Sequence, residues 1–558
     1  MWRIWALFTF FIIFFGFIVV RLFYWQIILG DELRAEAAAQ YNLSLTIPAI
    51  RGTIATSDGS PIAMNAPASL VYAEPKNIAD MNIFTKLVAP ILHVDEASVS
   101  SQLMIPNRVW VPLAHKVDNS VKDELTGLSL KGLGFEPEPK RYYPEASMAA
   151  SLLGFVGADQ NGIDQGYFGL EGFYDRLLRG RDGSIDLQKD VQGAAILVGD
   201  TKRIEAQDGS SLTLYIDRTV QHIVEERLNE GIAKYGAKAG TVTVMDPKTG
   251  GILAMASYPS YDPGSFGAYD RVLYPNPVVA SSYEPGSTFK VLVMSGALQE
   301  GLVKADTKVD ESGPVHVSGY DIRTWNNEYH GPITMAQILE YSSNVGMVYV
   351  QQKLGKDKFL KYLHGYGIGE PTGIDLQEES SPDLRADRDW KDIDLATASF
   401  GQGIAVTPVQ MVRAVAAIAN GGWLMEPHMV KEITDASGKK IEVKPKKIRE
   451  VISQAAASSL TEMMILAVDK GEAQWAKPAG YRIAGKTGTA QIPVAGHYDP
   501  TKTNASFIGF APADNPKFVM LVTLSEPQSS PWGSETAAPL FFNIARDLFT
   551  YYSIPSSQ

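Results

Sequence analysis

From Ile4 to Val20 the chain reads IWALFTFFIIFFGFIVV, with Thr9 its only hydroxyl and no charge. As a helix this run spans roughly 26 Å. Leu22 to Trp25 extend it to a depth where Tyr24 and Trp25 suit a headgroup layer. The run therefore predicts a single membrane anchor over residues 1–27. A cleaved leader is the rival reading, since Ala35-Glu36-Ala37 resembles a small-residue cleavage site. The apolar run, however, exceeds the roughly 7–15 residues of a leader, and that site lies far beyond its end. No later segment is long and apolar enough to cross again. Arg3 before the span and Arg21 and Arg34 after it leave the orientation undecided by charge.

The remaining chain belongs to an ordinary globular class. Of 558 residues, 45% are hydrophobic and 20% charged, so several domains with cores of their own are expected. A net charge of -12 argues against nucleic acid, whose binding rewards basic surfaces. With no cysteine, thiol catalysis, disulfides and cysteine-zinc sites are excluded.

After the anchor, DELRAEAAAQYN reads as a helical stalk, and IPAIRGTIATSDGSPIAMN as a hairpin turning at Asp58-Gly59. Residues from about 70 to 210 mix short strand and helix patterns, and a scaffold or docking role is the expectation there. From SLTLYIDRTVQHIVEERLNEGIAKYG onward, a strand leads into an amphipathic helix. Two alternating strands then meet across Asp246 to Gly251. A helix-rich middle follows, then two antiparallel strands and a helix from about Ala537. This is a pattern of α+β type.

The stretch GYRIAGKTGTAQ, residues 480–491, admits two chemistries. Gly480 with Gly485-Lys486-Thr487 fits a phosphate-binding loop, and Lys486-Thr487-Gly488 fits a signature of penicillin-interacting serine enzymes. A phosphate loop needs a helix N-terminus after it. Here Gly488, Pro493 and Gly496 follow, and the segment reads as an extended strand. The acyl-transfer reading makes further demands. In YEPGSTFKVLVMSGALQEG, Ser287 stands near the start of a nearly all-apolar helix, with Lys290 at i+3 on the same face. A serine needs a base, and lysine serves only when burial and nearby cations bring its pKa down from about 10.4. Lys486 could be such a cation. In ILEYSSNVGMVYVQQKLG, Ser342-Ser343-Asn344 interrupts two helical patterns. A simple helix cap is its bland alternative. Ser437 to Lys440 repeats S-x-x-K, and Lys248-Thr249-Gly250 repeats K-T-G, but both fall in exposed turns. Only Ser287-x-x-Lys290, Ser342-x-Asn344 and Lys486-Thr487-Gly488 occur in the order that these enzymes use.

On these motifs the chain resembles a class B penicillin-binding protein, a peptidoglycan DD-transpeptidase, over nearly its whole length. RGTIATSDGSPIAMN, RYYPEASMAASLLGFVG and GLEGFYDRLLRGRDG resemble the N-terminal motifs of the family. DPKTGGILAMASYPSYDP, YEPGSTFK, FGQGIAVTPVQM and GKTGTAQ resemble its transpeptidase domain. YSSNVGM is more similar to the division-type (FtsI/SpoVD-like) enzymes than to the elongation type, which stays as the alternative.

The resemblance implies a fold of α+β class, with an anchor (1–27), an elongated mixed α/β pedestal of dimerisation type (28–210) and a transpeptidase domain (211–558). That last domain would be an antiparallel sheet with a helical subdomain, as in β-lactamases. Carried over, Ser287 is the nucleophile, Lys290 the base and Ser342 the proton relay. Asn344, Lys486, Thr487, Gly488 and Thr489 hold substrate, and the backbone N–H groups of Ser287 and Thr489 form an oxyanion hole. No metal or cofactor is called for, and the eight histidines lack ligand spacing.

Implied partners are stem peptides (a D-Ala-D-Ala donor and an amine acceptor), β-lactams, the cytoplasmic membrane, a SEDS-family glycan polymerase and other divisome proteins. The N-terminus would lie inside and the bulk outside. A β-lactamase, with Glu378 or Glu379 as base for water, is a rival. So is a β-lactam sensor or a non-catalytic scaffold. A sensor is expected to carry a signalling part, and only Met1 to Arg3 precede the span. A scaffold is expected to have lost a motif residue.

Overall fold

The computed structural model describes residues 1–33, 42–106, 108–189, 195–196, 202–494 and 497–556. The chain forms two compact units, Met1–Arg51 with Arg179–Gly209, and Gly52–Leu178 with Ser210–Gln558.

In the first unit, a helix over Trp2–Phe23 continues as a wider turn over Tyr24–Ile28. Its apolar side chains are exposed all round, and it is long enough to cross a membrane. The helical stalk expected from DELRAEAAAQYN falls mostly on residues outside those described, as do Arg34 and Ala35 to Ala37. Asp31 to Leu33 are helical, and Asn42 already begins a strand. That strand, Asn42–Ile47, pairs antiparallel with Gly183–Lys189, which also pairs with Ala195–Ile196 and Lys202–Ile204.

In the second unit, a three-stranded sheet orders Val111–Asp118, Ala68–Ala73 and Leu133–Pro137. Helices Met81–Leu92 and Glu96–Leu103 share a core with it through Phe84, Val88, Val99 and Leu103. The Asp58-Gly59 turn joins Ile54–Ala55 to Pro61–Ala66, as the sequence predicts. Those strands belong to a six-stranded sheet that also holds Lys140–Tyr142, Ser211–Leu214, Val430–Thr434 and Lys440–Glu442. Segments far apart in sequence thus share one hydrogen-bonded layer.

The site rests on a five-stranded antiparallel sheet of β1 (Ala239–Met245), β2 (Ile252–Tyr258), β3 (Ala484–Val494), β4 (His497–Ala511) and β5 (Phe518–Ser525), in the order β2-β1-β5-β4-β3. Both faces of this sheet are covered. Met520, Val522 and Leu524 face one core, and Val519 and Leu521 face the other, the two-residue period of a strand buried on both sides. The first core contains α1 (Arg218–Tyr235, capped by Asp217) and the C-terminal helix Ala537–Tyr551. The second contains α2 (Lys290–Gln299), α3 (Asn344–Leu354), α4 (Pro408–Ala419) and α5 (Gln454–Lys470). Lys290 to Ala297 are all buried, so α2 is the central helix of this layer, and its first residue is a lysine with 0% exposure. The five-stranded sheet and the helical layer agree with the expected α+β class.

Candidate active site

Ser287 lies on a tight turn, Gly286–Phe289, that leads directly into α2. The turn needs two glycines. Gly286 has φ +55, and its N–H donates to Gly401 O at 3.0 Å. Gly401 has φ +80, and a Cβ there would stand 2.1 Å from Gly286 O. Thr288 Oγ1 donates to Pro285 O at 2.7 Å and closes the turn. Ser287 itself is half-buried, and its hydroxyl has no hydrogen-bond partner among the described residues.

Three residues beyond, Lys290 Nζ donates to Ser342 O at 2.5 Å and to Asn344 Oδ1 at 2.9 Å, with Ser342 Oγ at 3.3 Å. Ser342 has φ +56, in the break between helix Met335–Glu340 and α3, and this turns both its carbonyl and its hydroxyl toward the lysine. The polar trio divides its work. Ser343 is the helix cap, accepting from Gly346 N–H at 2.9 Å, while Ser342 and Asn344 serve Lys290. Asn344 is fixed in turn by donating Nδ2–H to Arg323 O at 3.1 Å. Burial pushes the Lys290 ammonium well below its ordinary pKa, and the charge of Lys486 pushes it further down.

Lys486, Thr487, Gly488 and Thr489 lie on β3, so the extended strand expected for this stretch is present and no helix N-terminus follows. Gly488 sits in close quarters, since a Cβ there would meet Ser506 Oγ at 2.5 Å and Thr288 Cγ2 at 2.8 Å. Thr487 and Thr489, two apart on the strand, both line the cleft that contains Ser287, Ser342 and Asn344. Thr489 Oγ1 accepts from Gly533 N–H at 2.9 Å, leaving its own hydrogen to donate. Lys486 is 3% exposed and donates to Thr487 Oγ1 at 3.0 Å. Burial lowers it to about 8, against the opposing pull of Glu472.

Ser287, Ser342, Asn344, Thr487 and Thr489 line one cleft, with Lys290 and Lys486 buried behind it and bonded to its lining residues. The rival motif copies are elsewhere, in turns, as expected. Lys248 Nζ donates to Asn515 Oδ1 at 2.6 Å, and Ser437 Oγ to Asp435 Oδ1 at 2.6 Å. Glu379 accepts from Thr372 N–H and Oγ1, each at 2.5 Å, and from Gly373 N–H at 3.0 Å. Neither Glu379 nor Glu378 lines the cleft. Among the described residues, no group of three or more acidic or histidine side chains is arranged to hold a metal. The motifs did not reveal Glu472 or the pair Trp325 and Trp532, whose rings meet at the cleft 4.9 Å apart and 62° to one another. No local pattern signals them, because they come from three separate loops.

The family model described as the penicillin binding protein transpeptidase domain matches residues 240–546, and that of the penicillin-binding protein dimerisation domain matches residues 46–214. The chain belongs to the class B penicillin-binding proteins. Over 96% of its length, this class B penicillin-binding protein is 35% identical to stage V sporulation protein D of Bacillus subtilis, covering 84% of that protein. It is 30% identical to the peptidoglycan D,D-transpeptidase FtsI of Escherichia coli, over 94% of this chain and 88% of the relative. Penicillin-binding protein 3 of Mycobacterium tuberculosis, solved with aztreonam, superposes with a TM-score of 0.71 at 26% identity, over 92% of this chain and 98% of that one.

Proposed function

We propose that this class B penicillin-binding protein cross-links peptidoglycan through an acyl-enzyme on Ser287, as a D,D-transpeptidase that β-lactams also acylate. One observation carries the reading. The amine of Lys290, buried and depressed in pKa, is held by two carbonyl oxygens and one hydroxyl beside a free serine. A neutral amine has two N–H donors and one lone pair, which matches two carbonyl acceptors plus a proton to be received.

In the proposed reaction, Ser287 Oγ attacks the carbonyl of the penultimate D-alanine of a stem peptide while Lys290 Nζ takes its proton. The resulting oxyanion receives the backbone N–H groups of Ser287 and Thr489, each worth roughly 3–4 kcal/mol in a transition state of this kind. Ser342 relays the proton to the departing D-alanine nitrogen as the C–N bond breaks. Asn344 holds the peptide amide, and Lys486, Thr487, Gly488 and Thr489 receive the terminal carboxylate. The amine of a second stem peptide then attacks the ester, transferring the acyl group and returning the proton to Ser287. A β-lactam follows the first half of this path, and its ring-opened acyl group stays on the serine.

The helix Trp2–Ile28 supports an anchor in the cytoplasmic membrane, with the N-terminus inside and the bulk outside. The likeness to a sporulation protein and to FtsI supports a division-type role over an elongation-type one, in company with a SEDS-family polymerase and other divisome proteins. Intact mass of the protein, with and without a penicillin, tests the chemistry. A lasting adduct on the wild type and none on Ser287→Ala is the expected result. Drug consumed with no adduct would make the chain a β-lactamase, and an adduct on Ser287→Ala would remove Ser287 as the nucleophile.

A further inference from the structure

Glu472 stands just beyond the C-terminal end of α5 and lines the same cleft as Ser287, Ser342, Asn344, Thr487 and Thr489. It is the only charged side chain among the described residues that line the cleft, the rest being neutral. Its carboxylate has no hydrogen bond or ion pair with any described residue. Behind the wall lie two buried lysines that also lack a carboxylate in contact among the described residues. Lys290 bonds to neutral oxygens of Ser342 and Asn344, and Lys486 to the hydroxyl of Thr487. Placing a proton on either buried amine without a counter-charge would be costly.

We propose that Glu472 is a positioning residue, its unpaired carboxylate serving as the shared counter-charge of Lys290 and Lys486. The inference rests on the acyl-enzyme reading above. A carboxylate in contact would lock one ammonium and cancel its field, whereas one at a distance favours the charge and leaves both Nζ atoms available to substrate. The charged groups that act on the pair are few. The charge of Lys486 acts on Lys290, and Glu472 acts on both. Glu311, bonded to His330 Nδ1 at 3.1 Å, acts on Lys290 with a smaller effect.

Removing the carboxylate should make both lysines lose their protons more readily. Lys290 then becomes a base at lower pH, and Lys486 stops being a cation at lower pH. Both limbs of the acylation profile therefore move in the same direction. The test is the second-order rate of benzylpenicillin acylation against pH, on the full chain in detergent. For Glu472→Gln, both limbs should shift down by about half to one unit, a size ordinary for losing one nearby opposite charge. Glu472→Thr, smaller and equally uncharged, should give the same shift, and Glu472→Asp should restore the wild-type profile. An unshifted profile, or a rate lowered equally at every pH, would overturn the proposal, the latter marking a merely structural residue. Wild type that forms no adduct at any pH would instead refute the acyl-enzyme reading itself.

Discussion

Lys290 Nζ and Asn344 Oδ1 are 2.9 Å apart, and Asn344 is itself anchored through Nδ2 to a backbone carbonyl. The lysine is thus aimed by a side chain that cannot rotate without losing its own bond. Asn344→Ala should slow acylation by roughly tenfold, the worth of about 1–1.5 kcal/mol for one hydrogen bond. Asn344→Asp places an anion beside the amine, favours the ammonium form and should move the acid limb of the rate profile to higher pH. Stopped-flow acylation across pH separates the two effects.

Lys290 must be neutral to take a proton, and Lys486 must be charged to attract a carboxylate. Because burial lowers both, the base form of Lys290 is reached at a pH well below that of an ordinary lysine, and the charge of Lys486 fades above about 8. Acylation should therefore pass through a maximum and fall on the alkaline side of that value. In Lys486→Arg the alkaline limb should move out of range, since guanidinium stays charged, while the maximal rate drops because the fork does not match the lysine site.

The carbonyl of Gly286 leaves no room for a side chain at Gly401. Gly401→Ala should displace the serine turn by a fraction of an ångström or more and reduce acylation by about 100-fold. Circular dichroism and the unfolding temperature should change far less than the rate. Equal loss of fold and rate would show that Gly401 supports the helical layer rather than the turn.

Arg141 Nε donates to Glu171 Oε1 at 2.6 Å, the two side chains being only 4% and 0% exposed, and Arg141 Nη1 donates to Gly52 O at 2.8 Å. Removing one member of a buried pair strands the other charge. Glu171→Ala should destabilise this unit by about 3–5 kcal/mol, measurable by denaturant unfolding, although both residues lie outside the cleft.

Both carboxylate oxygens of Glu378 are enclosed without a side-chain partner, and burial pushes the group up to about 7. The folded protein keeps this proton over a window in which the unfolded chain, with an ordinary value of about 4.3, has released it. Stability should accordingly fall as pH rises from about 4.3 to about 7. Glu378→Gln should flatten that part of the profile and melt at a higher temperature than wild type above it. Scanning calorimetry in a series of buffers is the check.

The sequence alone determined the parts that are written locally. The apolar run, the Asp58-Gly59 hairpin, the α+β alternation and the spacing of Ser287 to Lys290 each depend on neighbours a few residues away. Short-range periodicity is enough to read them, and the order of three short motifs was enough to single out a family. The sequence also separated the true Lys486-Thr487-Gly488 from its copy at Lys248, because turn residues surround the copy. What only the tertiary structure decided is how groups distant along the chain face one another. Burial of Lys290 to 0% exposure depends on α2 being enclosed by the other helices of its layer. The split of Ser342-Ser343-Asn344 into a cap and a cradle depends on one residue at φ +56. Gly401 against Gly286, Trp325 against Trp532 and Glu472 in the wall of the cleft arise from segments that pattern does not connect. Desolvation and charge interaction act through space, so the pKa of a lysine is a property of the fold rather than of its motif.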